Sequence, residues 1–107
     1  MQIQAMAVTE ATFQAEVLAA AGRVLVDFWG DDCVKCAALA PLLDELAAEL
    51  AGRVKVVKFW AHPQMPIVQQ YGLKGIPTLI LFQDGEPVRR TLVYAPKQAI
   101  LEALELR

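Results

Sequence analysis

The sequence predicts an α/β fold in which a central mixed five-stranded sheet is flanked by four helices, in the order βαβαβαββα. Three observations carry this reading. Short β-branched and aromatic runs alternate with stretches of helical periodicity, and strand–helix–strand units imply parallel pairing. The run "VLVDFW" is apolar almost throughout, as a strand buried on both faces should be. Near the C-terminus, "QDGE" carries an Asp-Gly turn signal between two extended runs, which predicts an antiparallel hairpin.

Residues 4–8 read as a short first strand. Thr9 is a candidate N-cap for a helix whose spacing runs through Phe13, Val17 and Ala21, with Gly22 as its stop. Residues 24–29 form the second strand. From Cys33 the apolar positions fall at 36, 39, 40, 43, 46, 47 and 50, with Asp44, Glu45 and Glu49 on the other side, so a long amphipathic helix follows. Pro41 sits inside it and should kink it, and Gly52 ends it. Residues 54–60 read as a third strand and 64–71 as a short helix with Pro66 in its first turn. Residues 78–82 and 88–93 are the two strands of the hairpin. Pro96 opens a last helix, with Ile100, Leu101 and Leu104 facing inward.

The chain has 107 residues, the size of a single domain spanning 1–107, and 56% of them are hydrophobic, which argues against disorder. Its apolar runs are too short to cross a membrane. Residues 1–20 lack a basic start followed by an apolar stretch, so no secretory leader is expected and a cytoplasmic location is. A net charge of −2, with Lys and Arg scattered, gives no reason to expect nucleic acid. Two cysteines are too few for a disulfide-stapled scaffold.

Those two, Cys33 and Cys36, follow a buried strand and open a helix. At i and i+3 of a helix their Cβ atoms are neighbours, within reach of a disulfide. Cys33, at the helix start, is favoured as a thiolate by free N–H groups and the helix dipole, whereas Cys36 lies a turn inside and faces the core. The exposed sulfur should therefore attack and the buried one resolve. Other readings are two small buried side chains, an intramolecular zinc site with His62 and Asp32, or a cluster shared between two chains.

Together these residues resemble the thioredoxin family over nearly the whole chain. "VDFWxxxCxxC" at 26–36 matches the family's active-site strand and helix start, with Pro41 at its helix kink and Lys58 at its third-strand lysine. "YGLKGIPTLILFQDGE" at 71–86 looks like the family's second signature. The resemblance implies a thioredoxin fold and roles for matching residues. Cys33 would be the nucleophile and Cys36 the resolving thiol. Asp27 would be the buried carboxylate that moves a proton at Cys36, Lys58 its partner, and Pro77 a cis-proline whose backbone faces the disulfide. The residues agree for Asp27, since a carboxyl inside "VLVDFW" should be desolvated and its pKa raised. A strand Asp satisfied by hydrogen bonds and a solvated strand lysine are the plainer readings.

The chain departs from the family's usual "WCGPC". Asp32 precedes Cys33, and Val34–Lys35 stand between the cysteines. Lys35 favours the thiolate, while Asp31 and Asp32 oppose it. His62 stands where the family often has an aspartate, so a pair between Asp32 and protonated His62 is one reading and a solvated loop histidine the other. Val93–Tyr94 replace a small pair at the substrate groove and should narrow it. Trp29, Asp32, Val34, Lys35, His62, Ile76, Val93 and Tyr94 are the candidate substrate-contact residues.

The expected activity is thiol–disulfide exchange with a restricted set of disulfide-containing protein substrates. It needs no bound cofactor or metal, and a separate thiol reductase would donate the electrons to what is expected to be a monomer. The rival is a binding module with weak turnover that docks one partner or holds a metal or cluster between chains.

Overall fold

A computed structural model describes residues 4–91 and 96–106. The elements are β1 (Met6–Val8), α1 (Glu10–Phe13), β2 (Arg23–Trp29), α2 (Val34–Glu49), β3 (Val54–Trp60), α3 (Pro66–Gln70), β4 (Thr78–Gln83), β5 (Glu86–Thr91) and α4 (Lys97–Ala103). The sheet order is β1-β3-β2-β4-β5. β3 runs parallel to both β1 and β2, whereas β4 is antiparallel to both β2 and β5.

The direction of β4 departs from the simple strand–helix–strand expectation, and the length of α3 accounts for it. Five helical residues rise about 7.5 Å, while a seven-residue strand such as β3 runs about 23 Å. A helix so short does not carry the chain back across the sheet. β4 therefore starts at the end where β3 stopped and runs the other way.

Two cores fill the two faces. Along β2 the side chains alternate, as strand geometry requires. Val24, Val26 and Phe28 join Phe13, Val17, Val57, Phe59, Ile80 and Phe82 on one face. Leu25 joins Val56, Leu79 and Leu81 beneath Leu39, Leu43 and Leu46 of α2, Ile100 of α4 and Leu104 just past it on the other. Leu101 is only half-buried, while Leu106, beyond the helix, is buried.

Several local expectations are revised. The helix expected from Thr9 to Ala21 is α-helical only to Phe13. It then widens into a π turn, Gln14–Leu18, closed by the Ala19 N–H donating to the Gln14 carbonyl at 2.7 Å. Thr9 does flank the start: its carbonyl accepts from the Phe13 N–H at 2.8 Å, and its own N–H donates to Thr12 Oγ1 at 2.9 Å. Pro41 does lie inside α2, as expected. Pro96 caps α4 from just outside rather than occupying its first turn.

The hairpin strand β5 begins two residues earlier than expected, because Gln83 and Glu86 pair directly across a two-residue turn. Asp84 and Gly85 both have positive φ, 50° and 85°, which is the mirror-image turn that Asp-Gly favours. Gly85 is also needed for space, since a Cβ there would stand 2.6 Å from the Leu18 carbonyl oxygen. Residues 92 and 93 of the expected strand lie outside the described residues.

Candidate active site

β2 delivers Asp27 and Trp29 to the end of the sheet where α2 begins. The turn between them passes through Asp32, whose φ of 52° is left-handed. An aspartate tolerates this backbone better than bulkier residues do. Cys33 is then the N-cap of α2, outside the helix proper, with extended φ and ψ of −118° and 102°. Its Sγ accepts the Cys36 backbone N–H at 3.1 Å, so the sulfur occupies the place a capping oxygen usually takes. A thiolate at that position gains from the same N–H and from the helix dipole.

Cys33 and Cys36 are joined in a disulfide, with Cα atoms 5.2 Å apart. Cys33 is partly exposed and Cys36 is buried. Across from them the Ile76–Pro77 peptide is cis, and the Ile76 carbonyl oxygen lies 3.9 Å from Cys33 Sγ. Thr78 supports this loop. Its side chain is buried, and its hydroxyl donates to the Gly75 carbonyl at 2.5 Å. Nothing in the residue pattern singled out Thr78 for this task beyond its place in the "GIPT" run.

Asp27, which lines the same cleft as Cys36, is only 3% exposed. Burial raises its pKa from 3.8 to about 7, and the positive charge of Lys58 offsets part of that rise. Lys58 is half-buried and stands opposite Asp27 in the β2–β3 register. Asp27 Oδ1 is fully buried and has no hydrogen-bond partner. A carboxyl that titrates near neutrality can take up or return a proton under physiological conditions.

A cleft of about 690 Å³ reaches this carboxyl from outside, between the sheet and the start of α2. Trp29, Ala37, Ala40 and Leu43 form much of its wall, and Asp27, Cys36 and Lys58 face it. Ala37 and Ala40 were not among the residues expected at the site.

Of the proposed contact residues, Val34 is 86% exposed and Ile76 is 38% exposed, beside the exposed Lys35 and Asp32. His62 is an exposed loop residue. Its Nδ1 accepts from the Gln64 N–H at 3.3 Å, and its ring centroid lies 5.9 Å from that of Trp60. Among the described residues no ion pair joins it to Asp32, so the suggested pair is not formed. Trp60 and the Gln64 N–H hold the imidazole instead. Val93 and Tyr94 lie outside the described residues. No group of three or more His, Cys, Asp or Glu among the described residues could hold a metal ion, and no helix there is long and apolar enough to cross a membrane.

The comparisons agree with this geometry. The thioredoxin family model matches residues 4–105. The chain is 42% identical over 101 residues to thioredoxin 1 of Synechococcus elongatus, covering 94% of each chain. It is 44% identical over 96 residues to a thioredoxin of Pseudomonas aeruginosa, covering 90% of this chain and 88% of the other. Family, fold and a joined cysteine pair favour an enzyme over a binding module. The chain belongs to the thioredoxin family and is a thiol–disulfide oxidoreductase.

Proposed function

We propose that the chain reduces protein disulfides in the cytoplasm, with Cys33 as nucleophile and Cys36 as resolving thiol. The observation that carries this assignment is the cap: Cys33 Sγ receives the Cys36 N–H at the open end of α2, while Cys36 is buried and lines the same cleft as Asp27. The Cys33 thiolate attacks one sulfur of a partner disulfide, forming a mixed disulfide and expelling a partner thiolate, which takes a proton from solvent. Cys36 then gives its proton to ionised Asp27 and attacks Cys33 Sγ. The mixed disulfide breaks, the second partner thiolate leaves and is protonated, and the 33–36 disulfide remains. Two electrons have passed to the partner. A separate thiol reductase returns them, and no bound cofactor takes part.

The Ile76 carbonyl, 3.9 Å from Cys33 Sγ, supports a role in seating an extended partner chain. Val34, Lys35, Asp32, Trp29, His62 and Ile76 supply the contact surface, and we assign Val93 and Tyr94 to its far side. The exposed Val34–Lys35 pair and Asp32 replace neutral family residues. They support a restricted partner set, with weak turnover of insulin and of a general thioredoxin reductase.

The test is a pair of variants. Cys36→Ser should accumulate a mixed disulfide with its partner through Cys33, identified by mass spectrometry. Cys33→Ser should lose disulfide reduction by at least about a thousandfold, as expected when a nucleophile is removed. Full activity in Cys33→Ser would sink the assignment.

A further inference from the structure

Among the described residues, the large apolar side chains that stay exposed are Met6, Val34, Trp60, Ile76 and Val88. Met6 opens β1 at the far end of the sheet, and Val88 lies along the outer strand β5. The other three share the end that carries the disulfide. Val34 begins α2, Ile76 stands beside Cys33, and Trp60 ends β3. Val34 and Ile76 already belong to the surface assigned to protein partners. Trp60, 39% exposed, does not. Single exposed apolar residues need no explanation, but several gathered at one end of a molecule mark a contact surface.

The sheet joins Trp60 to that surface. Trp60 stands opposite Trp29 in the parallel β2–β3 register, so the two indoles leave the same face of the sheet from strands about 4.8 Å apart. The Ala61 N–H donates to the Trp29 carbonyl at 2.7 Å and ties the two strand ends together. β1 stops at Val8, opposite Phe59, and so does not cover Trp60. The His62 ring stands on one flank, with centroids 5.9 Å apart. Trp29 in turn lines the active-site cleft with Cys33, Asp31 and Asp32. Trp60 therefore carries the contact surface one strand further, towards the β1 edge.

The charges next to the indoles select what can sit there. Asp31 and Asp32 are exposed, and among the described residues no ion pair answers either of them. Lys58 stands opposite the buried Asp27, Lys35 lies on the first turn of α2, and Lys74 lines a separate hollow with His62 and Ile76 that no aspartate lines. An acidic side chain of a partner would be repelled by the two aspartates, and an apolar one would leave them unanswered. A guanidinium suits both features, because its plane stacks on an indole and its fork of N–H groups meets carboxylates. An exposed ion pair alone contributes little, so the indole is what makes the contact selective.

We propose that Trp60 is a specificity-determining residue of the partner surface, and that it selects disulfide-bearing proteins with an arginine close in sequence to the attacked cysteine. The guanidinium stacks on the Trp60–Trp29 pair and meets Asp31 and Asp32. This rests on the disulfide reduction proposed above and names the partner chemistry that the same site favours.

The probes are disulfide-linked homodimers of a short alanine-based peptide with one cysteine. Arginine is placed one, two or three residues before or after that cysteine, an all-alanine peptide is the reference, and citrulline is the neutral control. Each is mixed at low salt with reduced protein in a single turnover that yields the 33–36 disulfide and free peptide thiols, without a reductase. Arginine in at least one position should raise the second-order rate at least about fivefold over alanine, and citrulline there should not. Trp60→Leu keeps an apolar side chain but removes the π face, and should bring the arginine-to-alanine ratio close to one. Asp31→Asn combined with Asp32→Asn, which keeps a residue tolerant of the left-handed turn, should do the same without touching the strand. Reduction of the alanine peptide with no favoured arginine position, an equal gain from citrulline, or an arginine preference that survives in either variant would overturn the proposal and leave disulfide reduction standing. No reduction of any peptide would overturn both.

Discussion

The two faces of the sheet are closed in different ways. On one, five rings interlock: Phe13 lies 5.6 Å from Phe59 and 5.9 Å from Phe82, Phe28 lies 5.6 Å from Phe59, and Tyr71 lies 5.4 Å from Phe82. On the other, aliphatic side chains from α2 and α4 fill the middle, but the layer stays open beside Cys36, where Asp27 and Lys58 stand in place of apolar residues. The sealed face supplies much of the packing energy. The incomplete face carries Cys36, Asp27 and Lys58 along one cleft open to the outside.

Truncation should separate these roles most sharply. Phe59→Ala removes a buried ring from the aromatic face and should cost about 3–5 kcal/mol in urea unfolding. Ala40→Leu at the open face should stay within about 0.5 kcal/mol. Comparable losses at the two sites would erase the distinction.

The second contrast is one of pH. The Asp27 carboxyl binds its proton more tightly folded than unfolded, since its pKa rises from 3.8 to about 7. Wild-type stability therefore declines as pH climbs through that window, and Asp27→Ala escapes the decline. Relative to wild type, the variant should gain up to about 4 kcal/mol between pH 4 and pH 8. Parallel stability curves for the two proteins would show that the buried charge carries no such cost.

The smallest effect belongs to the turn at the mouth of the cleft. Asp32→Val forces a β-branched residue into left-handed backbone and should cost about 1–2 kcal/mol by thermal unfolding. The adjacent, exposed Asp31→Val should change little.

Much of this was legible in the residues, and for identifiable reasons. The strands declared themselves because β2 and β3 are buried on both faces, and the hairpin because Asp84–Gly85 suits only a few turns. The cysteine pair was legible from its spacing. What the pattern hid depends on neighbours far along the chain. The π turn after Phe13 leaves the apolar spacing almost unchanged. The direction of β4 follows from how little distance α3 covers. The cleft is lined by Trp29 from the strand and by Ala37 and Ala40 from the helix, a relation between distant elements that no local period records. The Asp32–His62 pair failed for the same reason, since Trp60 and Gln64 compete for the imidazole.

The sheet also has two margins, and both are blunted. β1 contributes three residues. β5 carries Pro87, a register shift opposite Leu81 and Phe82, and the charges of Glu86, Arg89 and Arg90. Short, bulged, proline-bearing and charged margins are poor templates for adding a strand from another chain. Self-association by strand addition, the common route from a sheet to an aggregate, is therefore disfavoured. A thiol–disulfide oxidoreductase gains from this, because its sheet margins do not recruit strands from the proteins it meets.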